Sequence, residues 1–349
     1  MAALTAHHIC FSRVQLPSRP RRHHSPHVQK VLLSFQQQTP VVLAQRQSRR
    51  RQRRALYCAA EDRSNDAVTP PVEDAVRVLP EFPPRTPGLA EANAVFCLGI
   101  IWLVFLTDLS GIGPLLLASD NVSLSLAVLQ WTAFVAPVVA HSLSSRFDTR
   151  ATFALRGCDA GHVAGAALGG ASLWILLAAA TALRGGVDPQ GAETSYRIVE
   201  ATTTVFASPS DGSGWASLLA LGALAPAAAE ELLFRGYLLT ALRSKLGSID
   251  ALCVCAMLFA CFHMSVSQFA PVAVLGIATG WATVATGSVA PAIVLHACHN
   301  AAALVWGAAM TDGIVAPGPP DGGVVVAGLL GAGLGASLLR GPGKLDTSQ

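Results

Sequence analysis

The segment GWASLLALGALAPAAAEELLFRGYLLTAL, residues 214–242, is long and apolar enough to cross a membrane, yet it contains Glu230, Glu231 and Arg235. A helix needs about 20 predominantly apolar residues to span the hydrocarbon core of a bilayer. Charged side chains are costly at that depth, and those that occur there usually face the interior of a helix bundle and carry function. This one stretch therefore predicts a helical membrane protein and the position of its functional site.

The composition of the whole chain supports the same fold class. Of its 349 residues, 52% are hydrophobic and only 13% are charged, and the mean hydropathy is +0.48. Soluble domains carry about 25% charged residues. We therefore expect an all-α membrane protein, a bundle of about eight transmembrane helices, at 93–118, 122–141, 162–183, 214–242, 249–266, 268–286, 290–310 and 322–340. Small residues in these runs predict close helix packing, notably Gly165, Gly169, Gly170, Gly328, Gly331 and Gly333.

Positive charge is concentrated at the N-terminus. Residues 1–58 contain eleven Arg or Lys and no acidic residue, and the rest of the chain has an acidic excess. A leader rich in Arg and Ser, without acids and without a continuous apolar core, is typical of an organelle transit peptide. We expect plastid import with cleavage near Cys58; mitochondrial import and a basic disordered tail are the alternatives. Because the basicity belongs to a removable leader, no nucleic-acid partner is expected.

The chain is expected to divide into four parts: a transit peptide at 1–58, an acidic Pro-rich linker at 59–92, a polytopic membrane domain at 93–340 with its polar core at 210–305, and a tail at 341–349. Basic residues in short loops face the cytoplasmic side of a membrane, or its equivalent. With eight helices, one side collects Arg146, Arg150, Arg156, Arg243, Lys245, Arg340 and Lys344. Both termini then face the stroma of a chloroplast membrane, envelope or thylakoid.

The eight cysteines form no recognisable framework. None are spaced as C-x-x-C, so neither a disulfide scaffold nor a zinc finger is indicated. The five in apolar segments are expected to be small buried side chains, and they are Cys97, Cys253, Cys255, Cys261 and Cys298.

Within the opening segment, the spacing of the charges suggests a division of roles. Glu231 and Arg235 are four residues apart and share a helix face, which favours an ion pair. Adjacent residues point about 100° apart on a helix, so Glu230 and Glu231 are not expected to face one ligand. Glu230 is then left to face a cavity as a base, and Pro226 supports this by interrupting the backbone hydrogen bonds one turn earlier. The alternative is a buried structural ion pair without catalysis.

Two further clusters lie in later apolar runs. His263 follows Phe259 by four residues, and His296 and Asn300 are four residues apart on one helix face. An imidazole and a carboxamide on one face can stabilise an oxyanion. His299 is rotated away from Asn300, and we expect it to pack. A competing hypothesis is a metal site with three ligands, namely Glu230, His263 and His296.

His263 constrains the helix that precedes it. At about 1.5 Å per residue, a helix starting near Ile249 places His263 about 21 Å along it, whereas His296 lies about two turns into its own helix. For the two imidazoles to meet, the helix must be short, tilted or broken near Phe262.

The three clusters EELLFRG (230–236), FACFH (259–263) and HACHN (296–300) resemble the motifs of the CAAX-protease and bacteriocin-processing family. These are intramembrane endopeptidases related to the Ras-converting enzyme. The resemblance covers about residues 210–305 and implies a glutamate-type protease. It implies that Glu230 and His263 activate a water, and that His296 and Asn300 hold the oxyanion. The supporting residues would be Glu231, Arg235 and Phe259.

The function expected from the sequence is thus that of an intramembrane endopeptidase without a cofactor, acting on peptide substrates in contact with lipid. A second possibility is a non-proteolytic plastid membrane scaffold or chaperone that regulates other membrane proteins. A third is a transporter, since charges at membrane depth also mark ion paths. The lack of an internal sequence repeat and the grouping of the three motifs count against a transporter.

Overall fold

The computed structural model describes residues 85–106, 110–112, 122–185, 212–263, 265–311, 314 and 320–340. The expected transit peptide, most of the expected linker and the expected tail lie outside these residues. The described part of the chain is all-α and contains no strand, which confirms the predicted fold class.

The helices follow the predicted apolar runs. Two of them, α2 and α5, are each one continuous helix in which α-helical and π-helical stretches alternate. The bounds are α1 Leu89–Val104; α2 Val122–Gln130, Trp131–Val135 (π) and Ala136–Ser144; a single turn α3 Thr149–Thr152; α4 Ala160–Gly185; α5 Gly212–Ser217, Leu218–Leu224 (π), Ala225–Glu231, Leu232–Leu238 (π) and Leu239–Arg243; α6 Ser248–Phe262; α7 Val266–Thr286; α8 Ala290–Thr311; and α9 Gly322–Arg340.

Within the described residues, six helical stretches are long and apolar enough to cross a membrane: 127–144, 160–184, 214–243, 266–286, 290–310 and 322–340. The helices α1 and α6 are apolar too, but they have only 16 and 15 residues. The eight apolar helices of the described chain agree with the predicted bundle of about eight. Large apolar side chains such as Leu183 and Leu330 stand on the outer surface, 80% and 71% exposed. Such a surface suits lipid, because hydrocarbon tails are as apolar as leucine.

The α5 helix is irregular on both sides of its two glutamates. The amide of Ala225 donates to the carbonyl of Ala220, and the amide of Leu239 donates to that of Phe234, so each bond spans five residues instead of four. Pro226, which has no amide hydrogen to donate, follows the first of these π-helical stretches. Short π-helical turns occur often at functional sites. Here they enclose the α-helical stretch Ala225–Glu231.

Close packing of α4 against α8 and α9 confirms the prediction for most of the glycines. A Cβ atom on Gly170 would overlap the carbonyl oxygen of Leu295, and one on Gly165 would lie 2.7 Å from the Cβ of Leu338. Gly331 likewise faces the side chain of Ser172. Gly333, by contrast, has open space around its Cβ position, so its role in packing was predicted wrongly.

Loops that the predicted topology places on the same side of the membrane lie together at one end of the bundle. The hydroxyl of Ser288 donates to the carbonyl of Arg156 at 2.7 Å, which joins the α7–α8 turn to the loop before α4. Gly236, near the end of α5, packs against Phe153 of the same loop. The predicted basic residues Arg156 and Arg243 therefore lie at one end of the bundle. Which side of a membrane this end faces stays a prediction.

The expectation that the cysteines of the apolar runs are buried was wrong for three of them. All six described cysteines are free thiols; Cys255 is buried and Cys298 is half-buried. Of the five cysteines in the apolar runs, the remaining three, Cys97, Cys253 and Cys261, are exposed. An apolar helix of a membrane protein has a lipid-facing side, and a small apolar side chain is tolerated there as well as in the core.

Candidate active site

Glu231 and Arg235 form a fully buried ion pair on α5, as their spacing predicted. The Nη1 atom of Arg235 lies 3.0 Å from the Oε1 atom of Glu231, and neither side chain has any solvent exposure. The Nη2 atom of Arg235 also donates to the carbonyl of Gly276 on α7 at 3.1 Å. The guanidinium lies 4.3 Å from the ring centroid of Phe259 on α6. A planar guanidinium can bind a carboxylate and stack on an aromatic ring at once, so Arg235 ties three helices together.

His296 on α8 is bound to the same carboxylate oxygen. Its Nδ1 atom lies 2.7 Å from the Oε1 atom of Glu231, so the ring N–H donates to the carboxylate. A hydrogen bond at one ring nitrogen sets the tautomer and the direction of the other nitrogen. Glu231 therefore orients His296, a role that the ion-pair spacing alone did not reveal.

The second ring nitrogen of His296 points to the neighbouring glutamate. Its Nε2 atom is 3.9 Å from the Oε2 atom of Glu230. The imidazole thus lies between two carboxylates that are adjacent in sequence. The two side chains diverge from the helix, as expected, and each lies on the side of a different ring nitrogen, because the two nitrogens are on opposite edges of the ring.

The two glutamates differ in their surroundings. Glu231 has no solvent exposure and binds a guanidinium, whereas the side chain of Glu230 retains 11% exposure and binds no arginine or lysine among the described residues. A carboxylate that is not neutralised by a cation is the better proton acceptor. Its Oε2 atom and the Nε2 atom of His296 are close enough to contact one water at ordinary distances of about 2.8 Å.

His263 lies at the end of α6. That helix ends at Phe262, and the Nδ1 atom of His263 donates to the carbonyl of Phe259 at 2.9 Å. Of the three expected alternatives, a short, a tilted or a broken helix, the structure has the short one, which ends at Phe262 and not at the expected residue 266. The ring of Phe259 lies edge-on to both imidazoles, with centroids 4.9 Å from His263 and 5.8 Å from His296.

Asn300 shares α8 with His296 but not its contacts. Its side chain is half-buried and makes no hydrogen bond to the rest of the described chain, which leaves its amide available. His299 packs beside the backbone of Gly170, in line with the packing role expected for it. The structure thus gathers six of the seven candidate residues into one contact network and places Asn300 one helical turn from it.

Gln130 on α2 is the site residue that the sequence reasoning missed. Its Nε2 atom donates to the Oε1 atom of Glu230 at 3.4 Å, and the residue is only 6% exposed. A glutamine in an apolar run is a signal that could have found it, because a buried amide is costly unless it is hydrogen-bonded.

Among the residues that the structure describes, no group of three or more His, Cys, Asp or Glu side chains is arranged to hold a metal ion. Glu230, His263 and His296, the ligands of the competing hypothesis, do not form such a group.

The stretch of sequence that forms this site can be compared with known proteins. Residues 212–302 match the family model of the type II CAAX prenyl endopeptidase Rce1-like. The match covers about a quarter of the chain and includes all three polar clusters. No curated protein and no solved structure matches the chain. The part of the chain that builds the site is thus similar to a protease family, in agreement with the resemblance noted from the motifs.

Proposed function

We propose that this protein is an intramembrane endopeptidase that hydrolyses peptide bonds with a water activated by Glu230 and His263. The observation that carries the proposal is the contrast between the two glutamates. Glu231 binds Arg235 and His296, whereas Glu230 lies 3.9 Å from the Nε2 atom of His296 and binds no arginine or lysine among the described residues. A general base needs a free carboxylate within reach of the proton that it abstracts. The match of this stretch to a protease family supports the same conclusion.

In the proposed reaction, Glu230 takes a proton from the water and the resulting hydroxide attacks the carbonyl carbon of the scissile bond. The carbonyl oxygen becomes an oxyanion. When the intermediate collapses, the C–N bond breaks and the proton held by Glu230 passes to the leaving amine. His263 donates through Nδ1 to the carbonyl of Phe259, so its Nε2 atom is left to hold the water.

The oxyanion would be stabilised from α8. Asn300 offers an amide donor that no described residue uses, and His296 offers Nε2–H when its ring is protonated. Donors that are already aimed at the place where charge develops make the largest contribution in many acyl-transfer enzymes.

We propose the location from the composition of the leader, and the substrate from the location. A multi-pass protein with a plastid transit peptide would act in a chloroplast membrane with both termini in the stroma. A prenylated C-terminus is a product of the cytosol, so the substrate we propose is instead a transmembrane or C-terminal segment of another membrane protein. Import of the full chain into isolated chloroplasts, with protease protection of tagged termini, tests the location and the orientation.

The central test uses the mature protein reconstituted in lipid vesicles and incubated with solubilised organelle membranes. New peptide termini are read by mass spectrometry for the wild type and for Glu230→Gln, which keeps the shape of the side chain but removes the base. We expect termini that appear only with the wild type and persist in the presence of a metal chelator. Identical termini from two equally stable proteins would overturn the protease and favour a scaffold role. Loss of activity with chelator would overturn the metal-free mechanism.

A further inference from the structure

Gln130 is the residue outside the three motifs that touches the proposed base. It closes the first stretch of α2, immediately before the π-helical turn Trp131–Val135, and its amide is buried against α5. The Nε2 atom lies 3.4 Å from the Oε1 atom of Glu230. Buried amides in proteins are nearly always hydrogen-bonded, and this carboxylate is the partner that the structure offers.

The direction of this hydrogen bond follows from chemistry. An ionised carboxylate only accepts hydrogen bonds, so Gln130 must present its NH₂ group and not its carbonyl. The bond occupies the Oε1 atom of Glu230. The other oxygen, Oε2, is the one that lies 3.9 Å from the Nε2 atom of His296. With one oxygen held by Gln130, the carboxylate of Glu230 presents its other oxygen to the imidazole.

A second contact holds the backbone that carries Gln130. The indole Nε1 of the next residue, Trp131, donates to the carbonyl of Ala225 on α5 at 3.1 Å. Two consecutive side chains of α2 therefore bind α5 at points five residues apart, Ala225 and Glu230. One bond is to the backbone and the other to the proposed base, so their effects can be separated by mutation.

We propose that Gln130 is a positioning residue that fixes the rotamer of Glu230 and directs its Oε2 atom to the water and His296. This inference rests on the proposed function, because it assigns Gln130 to the base of that reaction. Gln130 does not contact the reacting atoms itself. It acts on the chemical step through Glu230 and not on substrate binding.

The kinetic test is Gln130→Leu, which keeps the approximate size of the side chain and removes the donor. We expect about a tenfold loss of kcat with an unchanged KM, as befits one hydrogen bond to a charged group. Gln130→Glu supplies a donor only while its carboxyl is protonated. Its activity relative to the wild type should therefore rise as the pH is lowered, whereas the ratio for Gln130→Leu should not rise. Wild-type kcat in Gln130→Leu would overturn the proposal.

The matched control is Trp131→Phe, which removes the neighbouring bond to α5 and leaves Glu230 untouched. We expect it to lower the melting temperature while kcat stays within about twofold of the wild type, since the bond lies away from the reacting atoms. If both variants lose kcat equally, Gln130 merely supports the helix contact and the positioning role is wrong.

A double-mutant cycle on protein stability tests the contact between Gln130 and Glu230 independently of activity. The melting temperatures of Gln130→Leu, Glu230→Ala and the double variant are measured in detergent. Non-additive shifts show that the two side chains are coupled, and additive shifts overturn the contact. If the wild type cleaves nothing, the proposed function fails while the cycle still decides between these outcomes.

Discussion

The carboxylate of Glu231 and the imidazole of His296 are joined by a 2.7 Å hydrogen bond between α5 and α8. The same carboxylate oxygen holds Arg235, whereas the Oε2 atom of Glu231 is buried with no partner among the described residues. Arg235 is therefore the cation that neutralises the buried carboxylate of Glu231. The bond also directs the Nε2 edge of His296 towards Glu230. Glu231, the carboxylate of the ion pair, therefore positions His296, which is proposed to stabilise the oxyanion.

Arg235→Ala should destabilise the protein strongly. It leaves Glu231 buried without a cation, and breaking a buried pair from one side costs about 3–5 kcal/mol. We expect a large drop in the melting temperature in detergent and in the amount of protein that accumulates. The double variant Arg235→Ala, Glu231→Ala should lose less than the sum of the two single variants, because it removes the unpaired charge.

The control for this prediction is Arg243→Ala, at the exposed end of the same helix. Exposed arginines contribute little to stability, so the melting temperature should change only slightly. Normal accumulation and melting of Arg235→Ala would contradict the structural role of the buried pair.

Asn300→Ala should lose activity without losing stability. Its amide makes no hydrogen bond within the described chain, so its removal leaves no buried group unpaired. Loss of one oxyanion donor lowers kcat by about 10²–10³-fold. The measurement is kcat for a peptide substrate found by mass spectrometry, together with the melting temperature. The neighbouring variant His299→Asn serves as the control and should affect melting more than kcat.

Gly170→Ala should disturb α8 at the residue before His296. The added Cβ would overlap the carbonyl oxygen of Leu295, and backbone atoms cannot move aside as a flexible side chain can. We expect destabilisation of about 1–3 kcal/mol, typical of overpacking, and reduced kcat. Gly169→Ala is the matched control, since its Cβ would meet nothing closer than the Leu295 Cδ1 atom at 4.0 Å. Equal melting of the two variants would contradict the close contact between α4 and α8.

Phe259→Leu tests the aromatic ring that lies between the two imidazoles and Arg235. Leucine restores most of the volume but not the face on which the guanidinium stacks, 4.3 Å from the ring centroid. A buried cation–π contact contributes up to about 2 kcal/mol. We expect a loss of this size in the free energy of unfolding, with lower kcat because His263 and His296 lose a shared neighbour. Chemical denaturation and kinetics provide the two readouts.

Phe262→Leu is the matched aromatic variant on the same helix. Phe262 packs against other phenylalanine rings, including Phe134 and Phe234, and no cation of the described chain stacks on it. It should lose stability with little change in kcat. A larger kcat loss in Phe262→Leu than in Phe259→Leu would contradict the role given to Phe259.

Much of the site could be predicted because it depends on spacing within single helices. Four-residue spacing places Glu231 beside Arg235, and it places the carbonyl of Phe259 beside the ring of His263. Spacing does not describe contacts between helices. The Gln130–Glu230 bond joins residues 100 positions apart, and the placement of His296 between two carboxylates depends on how α8 rotates against α5. The same limit explains the wrong expectation for Cys97, Cys253 and Cys261, whose exposure depends on which helix face meets lipid.

The sequence by itself determined an all-α bundle with three polar clusters in its apolar helices. The physical reason is that hydrocarbon leaves a spanning backbone no partner except its own helix, so apolar length is enough to define the elements. Only the tertiary structure decided that His296 lies between the two glutamates and that Gln130 of α2 binds Glu230. Helix rotation and crossing are set by packing of small residues such as Gly170, and that packing brings side chains from α2, α5, α6 and α8 to one place.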